Sequence, residues 1–88
     1  MWTIEYAEAA RRQLRKLDKP SPRRILDYVD QRVAPLEDPR SLGKALRGPL
    51  GDLWRYRVGE YRVICELLDL QLRALVVRVG GRKDSSCD

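Results

Sequence analysis

Three arginines, Arg55, Arg57 and Arg62, flank a Gly59-Glu60 pair in a stretch that alternates between large apolar and polar residues. Alternation is the period of a β-strand, and a Gly-containing pair between two such runs reads as a two-residue hairpin loop. Folding the chain there pairs Val58 with Tyr61, Arg57 with Arg62, Tyr56 with Val63 and Arg55 with Ile64. Directly opposed residues share a face. One face then carries Trp54, Tyr56, Val58, Tyr61, Val63, Cys65 and Leu67, the core side. The other carries Leu53, Arg55, Arg57, Arg62, Ile64, Glu66 and Leu68. Arg57 facing Arg62 is a like-charge pair, which costs stability in a sheet and which a bound anion relieves. A three-residue turn at Asp69-Leu70-Gln71 would put Leu75, Val77 and Val79 on the core face and add Arg78 to the basic one.

Arginine grips phosphate through a planar two-pronged fork and stays protonated, so it acts as an electrostatic clamp and not as a proton acceptor. A clamp on a phosphoryl group stabilises the charge that develops in a transition state. RNA carries its own nucleophile, the 2′-hydroxyl, which an enzyme needs only to align with the adjacent phosphate. The competing reading is a solvated face with Glu60 or Glu66 as partners. Acidic residues at positions matching all four arginines are not visible.

Other chemistries are excluded by what the chain lacks. It contains no histidine, so no His-based triad and no His-ligated zinc hydrolase site can be built. Cys65 sits in an apolar run and reads as a small core residue, and Cys87 stands next to the C-terminus. Neither a disulfide framework nor a metal site follows from this pair. No metal and no cofactor is expected, since transfer to a 2′-hydroxyl requires none.

The 88 residues make one domain, 1–88, with 18 Lys and Arg against 13 Asp and Glu, a net charge of +5. That excess favours a polyanionic partner. The N-terminus has neither the basic region nor the apolar stretch of a signal peptide. No segment approaches the roughly 20 apolar residues that span a bilayer. No membrane role and a cytoplasmic location are expected.

The elements that must hold the arginines are readable. Trp2, Ile4 and Tyr6 alternate with Thr3 and Glu5, a short strand. Ala7, Ala10, Leu14 and Leu17 fall at helical spacing, with Arg11, Arg12, Arg15 and Lys16 on the other side. Those cations could touch nucleic acid or simply face solvent. Asp18-Lys19-Pro20 ends that helix. Ser21 as N-cap and Pro22 as first residue start a second one, with Ile25, Leu26, Val29 and Val33 as its apolar stripe and Pro35 near its end. Residues 38–43 read as a turn or short helical piece, residues 46–51 as loop, and strands follow at roughly 52–58, 61–68 and 72–79. The expected class is α+β, in the order β-α-α-β-β-β, with a helical hairpin packed on one face of a mostly antiparallel sheet. Trp54, Tyr56 and Tyr61 belong to the core and do not stack on bases.

The run from Ser41 to Cys65, with Leu46-Arg47-Gly48 followed by Trp54-Arg55-Tyr56-Arg57-Val58-Gly59-Glu60-Tyr61-Arg62, closely resembles the RelE family of bacterial type II toxins in the RelE/ParE superfamily. The resemblance covers residues 2 to 84. It implies a microbial-ribonuclease-like fold and ribosome-dependent cleavage of A-site mRNA through 2′-hydroxyl attack. It implies as partners a RelB-like antitoxin in a toxin–antitoxin hetero-oligomer, the 70S ribosome and mRNA. It places catalysis on Arg55, Arg57, Arg62 and Arg82, with Arg78, Lys83, Arg47 and Lys44 as further RNA-binding candidates. Similar chains end with a histidine and a tyrosine where this one has Gly81 and Ser86. Two other outcomes are compatible with the same string: an attenuated member that mainly binds its antitoxin, and a ParE-like inhibitor of DNA gyrase.

Overall fold

A computed structural model of the chain describes residues 1–46 and 53–81. The elements are β1 (Thr3–Tyr6), α1 (Glu8–Arg15), α2 (Ser21–Tyr28), β2 (Lys44–Leu46), β3 (Leu53–Val58), β4 (Tyr61–Leu68) and β5 (Arg73–Gly81). The strands form one sheet in the order β1-β5-β4-β3-β2. β1 runs parallel to β5, and every other neighbouring pair is antiparallel. The α+β class and the helical hairpin are as expected. The short edge strand β2 is additional: Lys44 to Leu46 pairs with Arg55 to Leu53, where the sequence offered no alternation to announce it.

The hairpin of β3 and β4 has the expected register, from Val58↔Tyr61 through Arg57↔Arg62 to Leu53↔Glu66. Positive φ is confined to the first loop residue, Gly59 at 60°, which defines a type II′ turn. β5 corrects the expectation. The turn holds four residues, with a short 3₁₀ piece at Asp69–Gln71 and Leu72 left-handed at φ 49°, so Leu68 pairs with Arg73. Ala74 and Val76, and not Leu75 and Val77, therefore point into the core. A β-bulge then sets Cys65 opposite Val76 and Ile64 opposite Arg78, with Val77 as the extra residue. The bulge restores parity, so Val79 is buried and Arg78 lies on the opposite face, both as expected.

The helices cover the other face. Ala10 and Leu14 of α1, and Ile25, Val29 and Val33 of α2 and the π-turn that extends it, are buried against Tyr56, Val63, Cys65, Ala74, Val76 and Val79. Two details of α2 depart from expectation. Leu26 is exposed, because the stripe that meets the sheet is set by Ile25, Val29 and Val33. Ser21 is already helical and caps nothing; its hydroxyl instead donates to the Tyr61 hydroxyl at 3.1 Å. Gln13 of α1 accepts from the Val79 amide at 2.6 Å, beyond the last β1 pair, Tyr6↔Val76. A backbone donor left without a strand partner is thus satisfied by a side chain.

Candidate nucleic-acid interface

The sheet face away from the helices is where the basic residues meet. One line across four strands reads Lys44, Arg55, Ile64, Arg78; the next, toward the β3–β4 turn, reads Arg57, Arg62, Gly80. Strands lie about 4.8 Å apart, and residues two apart along a strand about 6.6 Å. The Cβ atoms of Arg55, Arg57, Arg62 and Arg78 therefore fall within roughly 12 Å of one another, inside the reach of arginine side chains. In a two-residue hairpin the pair next to the closing pair is not hydrogen-bonded, which brings Arg57 and Arg62 especially close. Ile64, between Arg55 and Arg78, is 8% exposed, which fits their aliphatic stems lying across it.

These cations differ from Arg73 in β5 and from Arg40 in the segment before β2. Arg73 pairs with Glu5 at 2.9 Å, and Arg40 pairs with Asp69. Lys44, Arg55, Arg57 and Arg78 make no ion pair with any described residue. Glu66 lies on the same face one row further, opposite Leu53 and Leu75, and forms no ion pair among the described residues. Glu66 is therefore not the partner of Lys44, Arg55, Arg57 or Arg78.

At the turn end, Arg57, Gly59, Glu60 and Arg62 line a surface crevice of about 310 Å³. Gly80 continues the row with no side chain, and nothing lies within 4 Å of where its Cβ would be. The crevice is large enough for a phosphate with its neighbouring sugar. Glu60 was legible as a turn residue and as a possible partner of the arginines; its place in the crevice depends on the turn type. Lys44 was an RNA-binding candidate with no element assigned to it; β2 sets it directly opposite Arg55. Arg47, Arg82 and Lys83 lie outside the described residues. Gly81 stacks on Tyr61, and a Cβ there would stand 3.4 Å from its ring.

Behind this face the support is apolar. Tyr56, between Arg55 and Arg57, is fully buried and donates its hydroxyl to the Pro39 carbonyl at 2.8 Å. Burial raises its pKa, and burial pushes that of Cys65 up to about 12, so Cys65 is an inert core thiol. Among the described residues no group of three or more His, Cys, Asp or Glu could hold a metal ion. No described helix is long and apolar enough to cross a membrane.

A helical hairpin on one face of a five-stranded sheet, with cations clustered on the other, defines the class of small basic toxins in the RelE/ParE superfamily. The family profile described as ParE toxin of type II toxin–antitoxin system, parDE, matches residues 4–85. The chain belongs to that family. Solved structures agree. The RelBE2 toxin–antitoxin complex of Mycobacterium tuberculosis contains a chain matching this one with TM-score 0.82 and 26% identity, covering 94% of this chain and 93% of that one. The isolated RelE toxin of E. coli matches with TM-score 0.76 and 18% identity, covering 99% and 90%. The archaeal RelE-RelB complex of Pyrococcus horikoshii matches with TM-score 0.68 and 24% identity, covering 96% and 98%. No curated protein matches the chain in sequence.

Proposed function

We propose that this toxin is a ribosome-dependent mRNA endonuclease that positions a phosphate of A-site mRNA between Arg57 and Arg62 for attack by the adjacent 2′-hydroxyl. The observation that carries this reading is the cluster of basic side chains on one sheet face, with Arg55, Arg57 and Arg78 lacking acidic partners among the described residues. Arg57 and Arg62 hold the non-bridging oxygens, and Arg55, Arg78 and Lys44 hold the phosphates that follow along the strand. Arginine does not take the proton from the 2′-hydroxyl. Glu60 lines the same crevice and is assigned that role; as the 2′-oxygen bonds to phosphorus the P–O5′ bond breaks, leaving a 2′,3′-cyclic phosphate and a 5′-hydroxyl that takes up the proton Glu60 removed. Arg82, implied by the RelE resemblance, completes the charge stabilisation, with Arg47 and Lys83 as outlying RNA contacts. The RelE toxins of M. tuberculosis and P. horikoshii are found in complexes with their antitoxins. A RelB-like antitoxin is the corresponding partner proposed here, in the cytoplasm.

The ParE family profile favours a second reading, inhibition of DNA gyrase without nuclease chemistry. One experiment separates the two. Purified toxin is added to programmed ribosomes and mRNA 5′ ends are mapped, with a supercoiling assay in parallel. A-site cuts that fall by about 10²-fold or more in Arg57→Ala/Arg62→Ala support the nuclease. Inhibited supercoiling without cuts supports the gyrase reading. If the parent chain leaves mRNA intact but Gly81→His/Ser86→Tyr cleaves it, the face is competent and the tail is what attenuates it. Absence of cuts from both overturns the nuclease assignment.

A further inference from the structure

One arginine of the basic face hangs on the least supported stretch of the sheet. The β1 ladder ends at Tyr6↔Val76, so from Val77 to Gly81 β5 has β4 on one side and no strand among the described residues on the other. The bulge at Val77 interrupts the remaining ladder where this stretch begins. Gly80 and Gly81 end it and bring no side chains to pack. Yet the stretch carries Arg78, in line with Arg55, and Gly80, in line with Arg57 and Arg62. A strand edge with so little holding it opens locally at low cost.

A side chain of α1 closes that edge. Ala10 and Leu14 are buried against the sheet and fix the height of the helix, and Gln13 beside them is half-buried. The Gln13 Oε1 accepts from the Val79 amide at 2.6 Å. That amide belongs to the peptide joining Arg78 to Val79, so the bond fixes the backbone plane from which Arg78 departs. The residue type matters. Arg11, Arg12, Arg15 and Lys16 around it carry donors only, and a cation at position 13 would set donor against donor. We infer that Gln13 is a positioning residue: it holds the outer edge of β5 so that Arg78 stays in line with Arg55, and Gly80 in line with Arg57 and Arg62. That this alignment serves phosphate transfer rests on the nuclease reading; the tether itself does not.

Two measurements on the full chain test this. Gln13→Leu keeps a strong helix former and removes the acceptor, whereas Gln13→Glu keeps an acceptor. Native-state hydrogen exchange is followed by NMR at the Val79 amide. The Val29 amide, bonded to the Ile25 carbonyl within the helical hairpin, serves as internal reference. Cleavage on programmed ribosomes is followed as a maximal rate and a half-saturating ribosome concentration. In Gln13→Leu the Val79 amide should exchange about fivefold faster or more, with Val29 unchanged. The maximal rate should fall about tenfold or more, because small displacements of an aligned group are costly in the transition state, while half-saturation moves by less than about twofold. Gln13→Glu should restore both. Unchanged exchange at Val79 in Gln13→Leu overturns the inference. So does equal acceleration at Val29, which marks a general loss of stability, or a defect that Gln13→Glu shares. A parental maximal rate in Gln13→Leu overturns the positioning role, whatever half-saturation does. If exchange accelerates and is rescued while the parent chain leaves mRNA intact, the tether stands and the nuclease reading falls.

Discussion

Arg55 and Arg57 are aimed outward because Tyr56, between them, is held inward. Its ring is fully buried, and its hydroxyl ends on the Pro39 carbonyl in the segment that leads to β2. Gly43 completes the arrangement. It adopts φ 78°, and a Cβ there would collide with the Arg55 carbonyl oxygen, so only glycine lets the chain approach β3 at that point. Tyr56→Phe keeps the packing and leaves the Pro39 carbonyl without its donor. The expected loss is about 1–2 kcal/mol. For a domain of this size that is roughly 4–8 °C of melting temperature per kcal/mol. Urea titration of the two proteins measures it. An equal midpoint would mean that water replaces the hydroxyl and that the tether to Pro39 contributes little.

At the scale of the element, one residue decides whether β5 serves the basic face. With the four-residue turn alone, Arg78 would oppose Val63 and point into the core. Val77 absorbs one position at the bulge and turns Arg78 outward. Deleting Val77 removes only the extra residue: Val76 stays opposite Cys65, Arg78 opposite Ile64 and Val79 opposite Val63, so Arg78 still faces outward. The deletion variant, like Val77→Ala, should therefore fold and lose little. Circular dichroism on both variants decides the matter, and an unfolded deletion variant would show that the added twist of the bulge is itself needed. This element also marks the limit of what could be read beforehand. The β3–β4 face was legible because Gly59-Glu60 sets the register by itself, and alternation does the rest. β5 was half legible. Arg78 and Val79 were placed correctly, while Leu75 and Val77 were put on the wrong face, because a bulge depends on two strands and one strand's pattern does not reveal it. β2 is three residues long and too short for any period, so the alignment of Lys44 with Arg55 was invisible. Ser21 has the residue type of a cap, but its partner Tyr61 is 40 positions away in sequence.

Across the whole molecule, charge is divided between two outer layers with an apolar sheet–helix core between them. The edges must then be tied by contacts that avoid both basic faces. Arg40 makes such a tie. Its guanidinium donates two hydrogen bonds of 2.8 Å to the Asp69 carboxylate, joining the 38–41 segment that feeds β2 to the β4–β5 turn. Those hydrogen bonds hold the Asp69 carboxyl below its ordinary value of 3.8. A lowered folded-state pKa means that the ionised form favours folding. Its contribution is complete above the ordinary carboxylate value and is lost as pH falls from there through the lowered one. Asp69→Asn should thus be less stable than the parent at neutral pH. The gap should stay constant down to the ordinary value and close below it. Denaturant midpoints of the two proteins along a pH series test this, with added salt as a second axis, since the pair is exposed and screening should narrow the same gap. A gap that persists unchanged in acid would mean that the asparagine disturbs the turn itself. The stabilising agent would then be the left-handed turn ending at Leu72 and not the ion pair.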